Sequence, residues 1–224
     1  MISFALVLFA IVGVGALLLM RVLPEFQPGY NKIKADLKQM QQEMDGWLKE
    51  ELVPIGREEL ELFSLNQLNQ TIKKRATLRA KGIFTTIYNE PILAYSYKKY
   101  VSSKGTNALL YARTAHHHYA YWLKGKEIQI LIDNKLTGVL LENGVLYDER
   151  KRALAAIHRN QAEVSPVSVN NREVASVVKT EISKGQSLSP RAFQFVKPDM
   201  NEEEEKLFLA LAALELVQRS VPKK

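Results

Sequence analysis

The C-terminal part of the chain contains a run in which apolar residues would occupy every side of a helix. The run covers residues 206–217, and ten of its twelve residues are apolar. A helix that is apolar all round must be surrounded on all sides, and this one is too short to cross a bilayer, which needs about 20 apolar residues. We therefore expect a helix over 202–219 that is buried inside its own domain.

The start and the end of this helix are marked by polar residues. Asn201 is expected to be the N-cap, and Glu204, three residues later, would complete a capping box. Four consecutive glutamates, 202–205, would occupy the first turn, where the helix dipole favours anions. That role explains them without a metal site, and Pro222 ends the helix.

Upstream of the helix, short alternating or β-branched runs predict a series of strands. The predicted strands are 59–63, 71–78, 83–88, 92–101, 108–113, 116–123, 127–132, 136–142, 145–148, 153–158, 163–169, 173–179 and 192–196. Asn143 and Gly144 separate two of them and predict a hairpin with a type I′ turn. The fold class is therefore mainly β, an antiparallel structure wrapped around one C-terminal helix.

Residues 30–48 carry apolar side chains at spacings of three and four, which predicts an amphipathic helix. The stripe consists of Tyr30, Ile33, Leu37, Met40, Met44 and Trp47. It is too short to predict a coiled coil. Three destinations stay open: packing on the body of the protein, pairing with a second copy, or lying along a membrane surface with Trp47 among the headgroups.

The N-terminal segment predicts a transmembrane anchor over residues 1–22. Residues 2–20 carry no charge and are long enough to cross a hydrocarbon core of about 30 Å. A cleaved signal peptide is the alternative, but no basic residue precedes Arg21 and 18–20 is not a typical cleavage site. The basic residues that follow the segment predict an outside N-terminus and a cytoplasmic body.

Charge is distributed unevenly along the chain. The net charge is +7, and residues 70–126 contain eleven basic residues against one acidic residue, Glu90. Such a surface suits an anionic partner, although a solvated strand face is the simpler interpretation. The residues expected to contact lipid or a partner are Lys73, Lys74, Arg75, Arg79, Lys81, Lys98 and Lys99.

Seven aromatic residues interleave with this basic region. They are Tyr95, Tyr97, Tyr100, Tyr111, Tyr119, Tyr121 and Trp122. Aromatic residues beside Lys and Arg suit a membrane interface or stacking on nucleic acid, but alternating Tyr and Trp also pack as ordinary strand residues. With an anchor nearby we favour lipid headgroups over nucleic acid.

His116, His117 and His118 form the one histidine cluster. On a strand His116 and His118 would share a face, and two imidazoles can bind a divalent metal if a carboxylate joins them. The nearest acidic residues in the sequence are Glu90 and Glu127, so we expect no metal and no cofactor. The chain has no cysteine, which excludes disulfides and lipoprotein attachment. Nucleotide-binding, serine-hydrolase and metalloprotease motifs are missing as well, so we expect a non-enzyme.

Meandering strands followed by an apolar C-terminal helix resemble the tubby C-terminal-like superfamily, which includes phospholipid scramblases and LURP-one-related proteins. Residues 145–157 are similar to the family's hairpins, in which an acidic turn follows one strand and a basic residue precedes the next. The last strand 193–196, Asp199 and the helix through Val217 are similar to the family's final strand, acidic loop and core helix.

The resemblance covers about residues 58–219 and implies a closed barrel of about twelve antiparallel strands around the C-terminal helix. Together with the hydrophobic pattern of the N-terminal part, it divides the chain into an anchor 1–22, a linker with the amphipathic helix 23–55, and a barrel 56–221. Family scramblases have cysteine-rich N-terminal regions and a C-terminal membrane segment, and this chain has neither. Scramblase activity is therefore not carried over.

These observations predict a single-pass membrane protein that binds anionic phospholipid headgroups or an acidic partner through its basic face. A second hypothesis is a structural subunit of a membrane complex that assembles with other subunits, or with itself, through residues 30–48. A third is a metal-dependent activity at His116 and His118.

Overall fold

A computed structural model describes residues 28–74, 77–102, 105–161, 163–179 and 190–222. Helix α1 is Tyr30–Trp47, a 3₁₀ helix follows at Arg57–Leu62, and helix α2 is Glu202–Ser220. Between the 3₁₀ helix and α2 lie twelve strands: β1 Phe63–Lys74, β2 Leu78–Thr86, β3 Pro91–Lys99, β4 Asn107–Arg113, β5 His118–Lys124, β6 Glu127–Ile132, β7 Lys135–Leu140, β8 Val145–Tyr147, β9 Ala153–Ile157, β10 Val164–Val169, β11 Arg172–Val178 and β12 Phe193–Val196.

The strands form one antiparallel sheet in which each strand pairs with the next along the chain. The sheet curls until its two edges meet near the start of β1. There the amide of Ala192 donates to the carbonyl of Phe63 at 2.7 Å, and the amide of Leu65 donates to Pro190 at 2.9 Å. The predicted mainly-β class is confirmed as a nearly closed twelve-stranded barrel, which leaves little exposed strand edge.

Helix α2 is buried in the barrel, as its all-round apolar pattern predicts. Every residue from Leu207 to Val217 is buried, and these side chains pack in one cluster with inward-facing residues of the strands. The hydroxyl of Tyr121 on β5 donates to the carbonyl of Ala210 at 2.8 Å. The predicted capping box is present, with the Asn201 side chain accepting from the Glu204 amide at 2.9 Å.

Helix α1 lies on the outer surface of the sheet, so the first of its three predicted destinations is the one observed. Its stripe packs in a second apolar cluster with outward-facing residues of β2–β5, including Ile83, Leu109 and Tyr111. Met44, which is fully buried, is the centre of this contact on the helix. The strands therefore carry apolar residues on both faces wherever α1 covers them.

The predicted boundaries are wrong at the beginning of the barrel. Residues 59–63, predicted as a strand, belong mostly to the 3₁₀ helix, and β1 begins only at Phe63. Residues 71–78, predicted as one strand, are interrupted between β1 and β2. Sequence reasoning missed the first half of β1 because asparagine and glutamine disfavour strands. Asn69 has a φ of 52° at an irregularity in the β1–β2 register.

The turn chemistry also differs from the prediction. Asn143 does not have the positive φ that a type I′ turn requires, and only Gly144 does, at 83°. The turn spans Leu141 to Val145, whose backbones are hydrogen bonded at 3.0 Å. Two other two-residue turns, Asp133-Asn134 and Asn170-Asn171, have positive φ at both residues. The two consecutive residues with positive φ that were expected at Asn143-Gly144 are therefore found at these two turns, which contain no glycine.

Neither helix in the described part of the chain combines the length and the apolar character that crossing a membrane requires. The predicted anchor at 1–22 lies outside the described residues.

Candidate functional site: a basic cleft beside the first helix

Three basic residues lie side by side on the outer face of β1, β2 and β3. Lys73 is directly opposite Arg79, and Arg79 is directly opposite Lys98. A second row below it contains Thr71, Lys81 and Ser96. Like charges directly opposite each other destabilise a sheet, so a compensating anion would stabilise this register.

Lys98 is compensated from within the protein. Its ammonium donates to Asp36 on α1 at 2.9 Å, and the side chains of both residues are about 95% buried, with 5% and 4% exposed. Tyr100 and Lys32 also donate to this carboxylate, at 2.7 and 2.9 Å. Burial raises the pKa of Asp36, but the hydrogen bonds from Tyr100, Lys98 and Lys32 outweigh it and hold the pKa below its usual value.

Lys73, Arg79 and Lys81 have no such compensation. None of the three forms an ion pair with a carboxylate anywhere in the residues that the structure describes. Lys73 and Arg79 are exposed, and Lys81 is half-buried. The Lys81 ammonium lies 4.7 Å from the centre of the Trp47 ring, in a cation–π contact that positions the charge without neutralising it.

These residues line a cleft of about 310 Å³ between α1 and strands β1–β3. Its floor is formed by the sheet and one wall by the second half of α1, including Met40 and Trp47. Glu43 lies on the helix wall, where it accepts a hydrogen bond from Gln39 at 2.6 Å. The cleft therefore offers three available cations to a small anionic group, with hydroxyls of Thr71 and Ser96 among its lining side chains.

The structure brings together four of the seven predicted contact residues, namely Lys73, Arg79, Lys81 and Lys98. Lys98 lies beneath α1 and is only 4% exposed, so its ammonium is not available at the surface. Lys99 follows it on the strand and lies on the other face of the sheet, opposite Ala108. The Lys74 side chain and Arg75 lie outside the described residues.

The predicted aromatic residues serve mainly as packing. All six tyrosines of the set are buried, and Trp122 is half-buried. Burial raises the pKa of Tyr97 to about 12 and, as the largest effect, also raises the pKa of Tyr111 to about 12. The six tyrosines therefore pack as ordinary strand residues, whereas Trp122 remains partly exposed.

The histidine cluster does not form a two-histidine face. His116 lies in the turn before β5, and His118 is the first residue of that strand. His118 Nδ1 lies 2.5 Å from the Tyr111 hydroxyl, while His117 Nδ1 lies 2.9 Å from Asp133. Burial, followed by Arg113, lowers the pKa of His118. Within the described ranges no three histidine, aspartate or glutamate residues are grouped so that they could hold a metal.

Sequence reasoning missed Asp36 and Trp47 as parts of the cleft, although both were placed on the amphipathic helix. A signal was present at Asp36, since it is an acidic residue next to the apolar stripe. Asp133 was missed as a partner of His117 because it lies 16 residues away and reaches the histidine only through the β6–β7 turn.

The basic row Lys73, Arg79 and Lys98 lies at the end of the barrel that carries the β1–β2 hairpin, whereas the helix wall of the cleft is formed by residues 36–47 of α1. Asp36 contacts Lys98 near the last residue of β3, while Asp45 binds Arg113, the last residue of β4, at 2.9 Å. Because neighbouring strands run in opposite directions, α1 runs from the end that carries the β1–β2, β3–β4 and β5–β6 hairpins to the opposite end. Glu90 lies at that opposite end, in the β2–β3 turn.

Comparisons of the chain with protein-family models, with curated proteins and with solved structures gave no match.

Proposed function

We propose that this chain is a membrane-anchored, non-catalytic binding module whose basic cleft takes the headgroup of an anionic phospholipid. The observation that carries the proposal is the direct cross-strand opposition of Lys73 and Arg79, for which the described residues provide no acidic partner. The fold does not need this arrangement, since like charges placed opposite each other cost stability. A bound phosphate group would convert the cost into charge-assisted hydrogen bonds.

The position of the cleft supports a lipid as the source of the anion. Residues 2–20 are uncharged, and α1 begins only ten residues after Met20. If that segment is a membrane anchor, the end of the barrel at which α1 begins faces the bilayer. The charge distribution around the segment favours a cytoplasmic barrel, where the membrane surface is anionic.

We also infer kinship with the tubby C-terminal-like superfamily. The twelve sequential antiparallel strands and the buried C-terminal helix support it, together with the resemblance of residues 145–157 and 193–217. This kinship is a proposal about ancestry and does not bring scramblase activity with it.

The proposal is tested with the full-length chain in a mild neutral detergent. Native mass spectrometry measures how strongly it retains phosphatidylglycerol relative to phosphatidylcholine. The variant Lys73→Ala/Arg79→Ala/Lys81→Ala should lose about 100-fold in this preference, because each cation contributes about 1 kcal/mol near an anionic lipid.

The matched control replaces two lysines and one arginine that lie at the opposite end of the barrel, Lys49, Lys135 and Arg150, by alanine. This control should keep the preference of the wild type. The proposal is wrong if both variants retain phosphatidylglycerol equally, or if the wild type does not prefer it. In the latter case, capture of an acidic protein by the same three cations would identify a protein as the partner instead.

A further inference from the structure

A second depression lies on the other flank of α1, separate from the basic cleft. It has a volume of about 750 Å³ and is enclosed by the first half of α1 and the outer faces of β4–β7. Its apolar lining includes Leu37, Trp122, Leu131 and Leu136. A volume of this size lies within the range of ordinary small-molecule sites, which is about 300–1,000 Å³.

The groove is left open because one helix cannot cover the outer face of so many strands. Leu136 on β7 is 47% exposed and Tyr30 at the start of α1 is 69% exposed, so both present apolar surface to the groove mouth. Contiguous exposed apolar surface on a folded domain commonly marks a binding site.

The rim of the groove is basic. Lys34 and Lys38 on α1 line it and are exposed, and neither forms an ion pair with a carboxylate in the described part of the chain. The Lys124 ammonium lies 5.3 Å from the centre of the Trp122 ring. An apolar interior with cations at its rim complements a molecule that has an apolar tail and an anionic head.

We propose that this groove holds an acyl chain of an anionic phospholipid, with the phosphate at Lys34 and Lys38. The inference rests on the membrane-facing placement given under the proposed function. Pro28 lies eight positions after Met20, and a chain of that length spans at most about 28 Å. If residues 2–20 lie in a bilayer, the groove mouth at Tyr30 is within reach of the lipids in the adjacent leaflet.

The two tryptophans of the chain provide separate reporters for the two sites. Trp122 lines the groove, whereas Trp47 lines the basic cleft. In the variant Trp47→Phe all tryptophan emission comes from Trp122, and in Trp122→Phe it comes from Trp47. Each full-length variant is reconstituted into vesicles of equal parts phosphatidylglycerol and phosphatidylcholine. In each preparation the acyl chains of one of the two lipids are brominated. Bromine quenches tryptophan emission only on contact, so the quenching shows which lipid touches the ring.

We expect Trp122 to lose most of its emission when phosphatidylglycerol carries the bromine and little when phosphatidylcholine does. Trp47 should be quenched by neither, since its cleft takes only a headgroup. Ala35→Phe adds a ring from the exposed face of α1 into the groove, and it should restore Trp122 emission. An unchanged melting temperature would show that this variant is folded.

Absence of Trp122 quenching by either lipid overturns the inference, and the groove is then covered by residues 1–27 or by a second copy. Equal quenching of Trp122 by both lipids would overturn the proposed selection of an anionic headgroup by Lys34 and Lys38. Either result leaves the proposed function intact if the Lys73, Arg79 and Lys81 variant still loses its preference for phosphatidylglycerol. The opposite result is quenching of Trp122 in a chain that shows no preference for phosphatidylglycerol that depends on Lys73, Arg79 and Lys81. That result would overturn the proposed headgroup cleft and support the acyl-chain groove.

Discussion

The two helices are almost equal in length, with 18 residues in α1 and 19 in α2, but they have opposite relations to the sheet. Twelve residues of α2 are buried, against four of α1. Apolar residues all round α2 direct it to the inside of the barrel, whereas the single stripe of α1 directs it to the outside. The width of a helix's apolar surface, and not its length or position in the chain, therefore decides whether the helix enters the core of the barrel or packs on its outer surface.

Both helices also bury carboxylates, Asp36 on α1 and Glu204 and Glu215 on α2, and Asp36 and Glu215 are satisfied differently. Asp36 on α1 binds Lys98 and Tyr100 of the sheet and so joins the helix to the barrel. Glu215 on α2 binds Arg219 of its own helix at 2.9 Å and Arg159 at 2.9 Å. Losing the first pair should therefore loosen an interface, and losing the second should disturb one end of the core helix.

The largest loss of stability is expected when a charge is placed inside the barrel. Leu211 on α2 is 1% exposed, and Leu211→Asp would bury a carboxylate among apolar side chains without a partner. We expect a loss of more than about 4 kcal/mol, enough to abolish folding of the barrel. Circular dichroism and a denaturant titration of the full-length chain would measure it.

The matched change on the other helix is Leu37→Asp, which lies on the half-buried edge of α1. This variant should keep the barrel and lose only part of the packing of α1. If Leu211→Asp folded as well as Leu37→Asp does, the assignment of α2 to the core would be wrong.

A second, smaller effect is expected at the ion pair beneath α1. Asp36→Ala leaves the buried Lys98 ammonium without its carboxylate, and breaking one partner of a buried pair costs about 3–5 kcal/mol. The double variant Asp36→Ala/Lys98→Met should recover most of this loss, since it removes the buried ammonium together with its carboxylate. A double-mutant cycle in the free energy of unfolding, measured in urea, tests both statements.

The order of these two effects follows from location. Residues of α2 are enclosed on every side, whereas α1 can detach from the sheet and return its charges to water. Hydrogen exchange should therefore show that Asp36→Ala increases exchange within Tyr30–Trp47 and leaves the α2 amides protected. Equal loss of protection in both helices would contradict a separate outer layer.

Acid should affect the outer layer first. His118 has a pKa below 6.5 because burial and Arg113 disfavour its charged form. The folded state therefore takes up its proton later than the unfolded chain, and stability falls as the pH drops below about 6.5 towards the pKa of the folded state. A series of melting temperatures should fall in this range, and His118→Gln should remove the fall.

The carboxylates respond at lower pH. Burial raises the pKa of Glu215, but Arg159 and Arg219 outweigh it and hold the pKa below 4.5, and the pKa of Asp36 lies below 3.8. Their contribution is complete above those values and is lost as the pH falls through the lower pKa of the folded state. A wild-type melting temperature that stayed constant down to about pH 4.5 would rule out the His118 effect and leave only this one.

The smallest effect is expected at the basic cleft. Lys73→Ala removes one of two like charges that lie directly opposite each other, and among the described residues it breaks no ion pair with a carboxylate. Stability should rise or stay within about 0.5 kcal/mol of the wild type, although anion binding falls. Thermal unfolding measures the first quantity and lipid retention the second, and a clear loss of stability would mean that Lys73 has a structural role.

Structural features of this protein can be predicted from the sequence when the interacting residues lie close together along the chain, and not when they lie far apart. The core helix follows from its own twelve residues, and the capping box at Asn201 and Glu204 follows from a spacing of three. Most strands follow from local alternation, but the first half of β1 does not, because Asn66 and Asn69 disfavour a strand and its pairing with β2 is irregular on both sides of Gln67 and Leu68.

The candidate site shows the same limit. The sequence identifies the basic residues, but it does not show which of them is neutralised by an acidic partner. Asp36 lies 62 residues before Lys98, and no local pattern indicates which lysine in the basic segment it pairs with. The prediction consequently placed Lys98 at the surface with its neighbours, whereas the register beneath α1 buries it. Cross-strand opposition, which carries the functional proposal, depends on a hairpin register that composition does not specify.

The place of α2 in the chain has a consequence for biosynthesis. The residues that fill the barrel, 202–220, follow all twelve strands in the sequence, so the ribosome produces them after the sheet that encloses them. Until they emerge, the inward faces of the nascent strands have no apolar partner, and exposed apolar strands are prone to aggregate. During translation, completion of the barrel must therefore wait for its last helix, and the unfinished sheet exposes its apolar inner face until then.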